Sequence, residues 1–357
     1  MDEKYVGILL NQPVFNGIPK GRTGHERISL YEENAKTFGL TPCYFRLSDL
    51  KIGSSSVRAY VSEGKSFKKK TVPVPRVIHN RAIFFGSKRR NKVNTFVENG
   101  FLIFNQWNRY GKLTIHRLLM KNPSLQAHLP ETAPATPDSL SDFLGKYSVV
   151  LLKPDNSSIG RGIIKIERIQ NGWLATYRNR YKKWRTLHFT DKIPCFLHKK
   201  MAARPYLVQQ FLNLATYRNR PFDLRVAVQR NGTGNWQITG LAAKVARRNR
   251  FLTNVAQGGT AHKLETVLQE YPHLKPNRIQ TSIEDLSLQI AEHLSRHLPN
   301  LADLGLDIGL TPEGFPLFIE CNNRDRRIIL HKAGLYEENK ALYRNPIAYA
   351  QFLHDRL

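Results

Sequence analysis

The sequence is short of acidic residues, of cysteine and of long apolar runs, and each shortage closes off a class of protein. Three cysteines occur in 357 residues, Cys43, Cys195 and Cys321, and none belongs to a CxxC pair. That spacing argues against both a disulfide framework and a thiolate zinc site, so a reducing compartment is expected. No stretch reaches the roughly 18 apolar residues that a membrane-spanning helix needs. The start, MDEKYVGILL, puts acidic residues before a very short apolar run and lacks the basic flank of a signal peptide, so a cytoplasmic protein is expected. There is no GxSxG elbow and no HExxH, and the 12 histidines show no metal-ligand spacing.

What is present is an ordinary globular balance, 41% hydrophobic and 23% charged, in a chain long enough for two or three packed subdomains. Its charge is not ordinary. Fifty-five Lys and Arg face 28 Asp and Glu, a formal +27, which points to a polyanionic partner: nucleic acid, anionic polymer, acidic protein or lipid surface. The densest basic stretch runs through SEGKSFKKKTVPVPR and FFGSKRRNKV, with Lys65, Lys68, Lys69, Lys70, Arg76, Lys88, Arg89, Arg90 and Lys92. It reads as a solvated hairpin or loop, or else as a polyanion-docking surface. Nucleic acid stays open as a partner, although neither an aromatic-interleaved RNA motif nor a helix-turn-helix pattern accompanies the charge.

YVGILL, TPCYFRL and PRVIHNR read as strands, with the helical HERISLYEENAKTFG between the first two, so residues 1–105 are expected to form an α/β front domain with parallel pairing. The proline-rich LPETAPATPDSLSDFLGKY marks a junction and a capped helix, with Asp138 or Ser139 as N-cap. VVLLKP, RGIIKIERI, GWLATYRN and RTLHFT read as short antiparallel strands of an α+β lobe over 106–190, and a larger lobe follows over 191–357. LATYRNR occurs twice, from Leu174 and from Leu214, and would form a matched anion-binding pair if both copies met one cleft.

The strongest chemical pattern is DLGLDIGLTPEGFPLFIECNN. Two apolar strands joined by TPEG pair antiparallel and bring Asp307 beside Glu320 and Asn322, the latter two on one face because alternate strand residues point together. Two carboxylates and an amide oxygen suit Mg²⁺. Inside apolar strands they need such a metal or a cation, and an ion pair with Arg324 or Arg326 is the structural alternative. In VVLLKPDNSSIGRGIIKI, a strand delivers Lys153 to a loop of small residues whose backbone N–H groups can lie on phosphate, as a nucleotide lid would. Neither a Walker pattern nor GxGxxG is present. RPFDLRVAVQRNGTGNWQITGLAAKVA is a strand pair carrying Asp223, Arg225 and Lys244 among apolar neighbours, where a charge is unusual unless it meets an anion. In RRNRFLTNVAQGGTAHKL, Asn254 precedes Gly258 and Gly259, which allow close backbone approach to a ligand.

The order of these pieces resembles the ATP-grasp superfamily, and more closely the bacterial ATP-grasp family described as endospore coat-associated. The resemblance covers residues from about 105 to the end and rests on Lys112 in YGKLTIHRLL, Lys153 in LLKP, the loop Ser157 to Gly162, the strand end Gln209 to Leu212, and Asp307, Glu320 and Asn322 at the spacing of D-alanine ligase-like enzymes. It implies an ATP-grasp fold behind an N-terminal α/β (pre-ATP-grasp) domain, with ATP and Mg²⁺ as cofactors and Asp307, Glu320 and Asn322 as metal ligands. The nucleotide would be held by Lys112, Lys153, Ser157, Ser158, Gly160, Gly162, Gln209, Gln210, Phe211, Leu212 and Asn254, with Arg225 and Lys244 in catalytic positions. The implied reaction is carboxylate–amine ligation through an acyl phosphate, on a carboxylate and an amine that the sequence does not name. The basic surplus points to an acidic peptide or polymer. A basic spore-coat-associated structural protein that binds nucleotide or polyanion without catalysis is the alternative. Two departures stand out: ECNNRDRR replaces the usual ENxxP or ENxxR, and QQFL lacks the acidic residue that often meets the ribose.

Overall fold

The computed structural model describes residues 3–64, 66–157 and 160–357; Lys65 and Ser158, named above, lie outside the described residues. The first sheet is built from β1 (Tyr5–Leu9), β2 (Thr41–Phe45), β3 (Ser56–Glu63), β4 (Ser66–Pro73), β5 (Val77–Asn80) and β6 (Leu102–Phe104), in the order β4-β3-β2-β1-β5-β6. β1 pairs parallel with β2 and β5, and β5 with β6, as the strand–helix–strand pattern predicts. The lysine-rich segment extends this sheet as an antiparallel hairpin, β3–β4, in which Lys68 and Lys70 pair with Glu63 at 2.7 and 2.5 Å. The second half of the basic stretch is not a loop: Ser87–Glu98 is a helix, with Val93 and Phe96 buried against the sheet's core.

The second sheet is antiparallel and contains β7 (Thr132–Pro134), β8 (Val149–Pro154), β9 (Ile164–Ile169), β10 (Gly172–Arg178), β11 (Trp184–Phe189) and β12 (Tyr206–Gln210), ordered β11-β10-β9-β8-β12-β7. The helix before β8, Pro137–Lys146, is capped by Thr136 and not by Asp138 or Ser139. Pro137 takes the first helical position, and Ser139 closes the capping box from N3.

The third sheet contains β13 (Thr216–Tyr217), β14 (Arg220–Arg230), β15 (Trp236–Val245), β16 (Thr260–His262), β17 (Asp303–Leu310) and β18 (Pro316–Asn322), ordered β16-β15-β14-β17-β18 with β13 on β14. The two LATYRNR copies differ: the first follows β10 to Arg178 and ends in the turn beyond it, whereas Arg218 and Asn219 of the second have φ of 53° and 57° and make the tight β13–β14 turn. Helix Pro276–Ser295 covers one face of this sheet with Ile279, Ile283, Leu286 and Ile290.

The last helix, Tyr336–His354, returns to the first sheet, so Val6, Ile8 and Tyr44 share a core with Ala227, Ala242, Tyr343 and Ile347. Asn105, at φ 50°, fastens the same junction. Its side chain donates to the carbonyls of Asp303 and Asn323 at 2.7 and 2.9 Å and accepts from the amides of Ala302 and Asp303. Among the described residues no helix is long and apolar enough to cross a membrane.

Candidate functional site

The third sheet aligns its charged residues by register. Arg225 of β14 lies opposite Asp307 of β17, and Asp307 lies opposite Glu320 of β18. Asp223 of β14 lies opposite Lys244 of β15. Cross-strand partners point to one side, as do residues i and i+2, so all five side chains and Asn322 share a face. A bulge after Asp307 inserts Ile319 and restores the Asp307–Glu320 pairing.

Desolvation makes this row costly unless it is paired. Asp307 Oδ1 receives Arg225 Nε at 2.8 Å and Lys244 Nζ at 2.9 Å, and Lys244 also reaches Asp223 Oδ1 at 3.0 Å. Burial pushes the Asp307 carboxyl up, but Arg225 and Lys244 overcome it and hold it far below the carboxylate range. Asp223 goes the other way: burial, opposed by Lys244 and reinforced by Asp307, raises it to about 6. Arg225 also binds Asp325 through Nη1. Asp325 comes this close because Gly305 has no side chain; a Cβ there would lie 3.0 Å from that of Asp325. The cations on Asp307 are thus Arg225 and Lys244, not Arg324 or Arg326, and Glu320 meets Lys112 at 3.3 Å.

The donor set fits Mg²⁺. Both ion pairs of Asp307 fall on Oδ1, which leaves its Oδ2 as a hard oxygen donor beside Asn322 Oδ1 and the Glu320 carboxylate, whose two oxygens are held only by long contacts, 3.3 Å each, to Lys112 and Asn322 Nδ2. Among the described residues no three His, Cys, Asp or Glu side chains form a metal cluster, and the third donor of this set is an amide.

A cavity of about 610 Å³ opens over this face, where all three sheets meet. Of the sequence-predicted residues, Lys112, Ser157, Arg225, Lys244, Asn254, Asp307, Glu320 and Asn322 line it. Lys112 begins helix Lys112–Leu119 and donates to the Ser157 carbonyl at 3.0 Å. Asn254 caps the turn Val255–Gln257. A smaller hollow adjoins, sharing Tyr110, Lys112, Glu320 and Cys321 with the cavity and adding Ile115, Thr132, Lys153, Leu207, Gln209 and Phe318. There Lys153 Nζ donates to Gln209 Oε1 at 2.5 Å, and Gln209 donates to Thr132 Oγ1 at 2.8 Å. Burial lowers Lys153 to about 8, with Glu320 opposing the shift and Lys112 adding to it.

Five predicted residues line neither space. Gly160 and Gly162 hold left-handed φ of 63° and 79° in the loop after β8, where Gly162 accepts from Tyr206 Oη at 3.1 Å. Gln210 faces the backbone of Glu131, Phe211 lies under Lys165, and Leu212 follows them out of the sheet. Neither LATYRNR copy contributes to the cavity wall. The sequence reading also missed Asp325 and the front-sheet segment Thr23–Glu26, which lines the cavity from the far side. Asp325 was legible as the one acid after Glu320 in ECNNRDRR; nothing local marks His25 or Glu26.

Comparison with known proteins agrees with this architecture. The model of the YheC/D-like ATP-grasp family matches residues 100–353. Endospore coat-associated protein YheD of Bacillus subtilis (strain 168) is 25% identical over 305 residues, 81% of this chain and 65% of that protein, so the chain spans under two thirds of its length. Endospore coat-associated protein YheC of the same organism is 23% identical over 336 residues, 90% of each. Among solved structures, the ATP-grasp ligase PsnB complexed with minimal precursor, Mg and ADP has a TM-score of 0.53 at 13% identity, over 97% of this chain and 100% of that one. The macrocyclase MdnC bound with precursor peptide MdnA from Microcystis aeruginosa MRC has a TM-score of 0.51 at 12% identity, over 95% and 97%. Identity that low shows the shared fold alone. By its family match over most of its length and by its three-sheet architecture, the chain belongs to the YheC/D-like ATP-grasp family.

Proposed function

We propose that this protein is an ATP- and Mg²⁺-dependent carboxylate–amine ligase. The observation that carries the reading is the convergence of Lys112, Arg225, Lys244, Asp307, Glu320 and Asn322 on one cavity, beside a hollow lined by Lys153 and Gln209. In this reading the apolar side of the hollow, Ile115, Leu207 and Phe318, takes the adenine, and Lys153 and Lys112 hold the phosphates. A phosphate near Lys153 would offset the desolvation that lowers its pKa and keep it charged. Asp307, Glu320 and Asn322 would hold Mg²⁺, which supplies neutralisation of phosphate charge when bound.

A substrate carboxylate oxygen attacks the γ-phosphorus and ADP leaves, giving an acyl phosphate. An amine then attacks the acyl carbon, phosphate departs with its electron pair and the attacking nitrogen loses a proton, leaving an amide. Such phosphoryl transfer needs positioning and charge neutralisation more than covalent help from the protein. Arg225 is suited to that role. Its Nε and Nη1 are fixed by Asp307 and Asp325, and Nη2 has no protein acceptor among the described residues, which leaves it for the transferring group.

The test is Mg²⁺-dependent ADP release across pools of amino acids and peptides, comparing wild type with Glu320→Gln. Substrate-dependent ADP release, lowered by about 10²–10³ in the variant, is expected for loss of one group that stabilises transition-state charge. Nucleotide binding without turnover in every pool would instead support a non-catalytic, coat-associated role.

A further inference from the structure

The cavity continues past Asn322 to a wall that phosphoryl transfer does not need. Two segments build it, Thr23–Glu26 from the first sheet's side and Arg324–Lys332 after β18. They touch: Arg324 Nη2 lies 3.6 Å from Glu26 Oε1, and Arg27 Nη2 lies 3.1 Å from His331 Nε2. This wall carries His25, Arg324, Arg326 and Lys332. Of the two carboxylates in these segments, Asp325 is turned to Arg225, and Glu26, which lines the cavity, is already committed to Arg81 at 2.7 Å.

The remaining positive charge is not neutralised by the protein. Arg326 and Lys332 are exposed, and among the described residues neither sits in an ion pair. Arg324 keeps a buried Nε with no hydrogen-bond partner. The side chains lie within electrostatic reach of one another: the His25 imidazole is held below its usual range first by burial and then by Arg326, with Glu26 opposing and Lys332 and Arg324 adding to the effect. Like charges gathered this way repel unless an anion joins them.

We propose that this wall is an anion subsite for the substrate to be ligated, and that the substrate is an acidic peptide bearing at least one carboxylate beyond the reacting one. Arg324, Arg326 and Lys332 read that extra carboxylate while Lys112, Arg225 and the Asp307–Glu320–Asn322 face handle the reacting one. The inference rests on the ligase reading for the chemistry at the other end of the cavity. The lining favours a peptide over nucleic acid. Single-stranded nucleic acid is held by stacking bases on aromatic rings, and among the described lining residues Tyr110 is the only Phe, Tyr or Trp.

The experiment measures binding by fluorescence anisotropy for fluorescein-labelled hexaglutamate, hexaglutamine and an oligothymidylate of equal charge, at low and high salt. The proteins are wild type, the double variant R326A/K332A, the charge-keeping R326K/K332R, and Glu320→Gln. Wild type should prefer hexaglutamate, with affinity falling as salt rises. R326A/K332A should weaken hexaglutamate binding by roughly tenfold, as two partly exposed charge contacts allow, while R326K/K332R keeps it. Equal affinity for hexaglutamine, unchanged affinity in R326A/K332A, or preference for oligothymidylate would overturn the proposal. Glu320→Gln should still bind hexaglutamate. Parallel ADP assays separate the two readings: hexaglutamate binding with no ADP release from any acidic peptide counts against ligation alone, whereas ADP release driven only by neutral peptides counts against the anion subsite alone.

Discussion

Two buried charge networks hang from β17, one at each end of the face shared by Asp303 and Asp307, and they differ in what closes them. At Asp303 the network is enclosed by protein, with only Asp303 Oδ1 and Arg327 Nε of its two central groups lacking a hydrogen-bond partner among the described residues. Arg81, 1% exposed, binds Glu26 at 2.7 Å, Asp303 at 3.3 Å and the Asp325 carbonyl at 2.6 Å, while Arg327 binds Asp303 at 2.8 Å and Tyr31 Oη at 2.6 Å. At Asp307 the network is closed by Arg225 and by Lys244, which Asp223 shares, and it lies open to the cavity on the remaining side. Asp325 joins them, its carboxylate on Arg225 and its carbonyl on Arg81. The closed network ties the first sheet to the third; the open one retains donors and acceptors for a ligand.

If that contrast holds, removing a cation should cost far more in the closed network. Arg81→Met leaves Glu26 and Asp303 short of a partner inside the core and should lower unfolding free energy by about 3–5 kcal/mol, read from urea denaturation. A loss below that of any substitution in the open network would break the comparison.

Acid should expose the closed network next. Burial raises the Glu26 carboxyl, but Arg81, Arg327 and Arg324 outweigh it and bring it from 4.5 to about 2. Because the folded value is the lower one, this contribution is whole above the unfolded pKa of 4.5 and is lost as pH falls from 4.5 towards 2. It amounts to about 3 kcal/mol. Denaturation midpoints measured down this range should fall steeply in wild type and less steeply in Arg81→Met.

The smallest effect belongs to Lys244→Met. Asp307 keeps Arg225, and Asp223, already raised to about 6, can take a proton instead of staying charged. A loss of about 1–2 kcal/mol is expected near neutral pH. Since Asp223's folded value is raised, its protonated form is the one that folding favours, so the deficit should shrink at about pH 5 and grow at about pH 8. A deficit independent of pH would mean that Asp223 does not relieve the site.

These networks also divide what could be read from sequence. Arg225, Lys244, Asp307 and Glu320 betray themselves as charges within apolar strand runs, and antiparallel pairing around TPEG follows from the turn. Which cation meets which carboxylate depends on the register of β14 against β17, which local pattern does not encode. The closed network is less legible still: Arg81 and Asp303 lie 222 residues apart and meet where the first and third sheets share a core. The cap of Pro137–Lys146 shows the same limit on a small scale, since Thr136, Asp138 and Ser139 are all capable caps and the choice turned on Pro137.

The central claim, ligation through an activated carboxylate over Asp307, Glu320 and Asn322, is tested most directly by following oxygen. Acidic peptides labelled with ¹⁸O in their carboxylates are incubated with ATP, Mg²⁺ and an amine pool, and the released phosphate is analysed by mass spectrometry. One ¹⁸O atom should pass to phosphate for each amide formed, with the rate of transfer lowered by about 10²–10³ in Glu320→Gln. Phosphate carrying oxygen from water alone, released with ADP while the peptides stay unjoined, would contradict it.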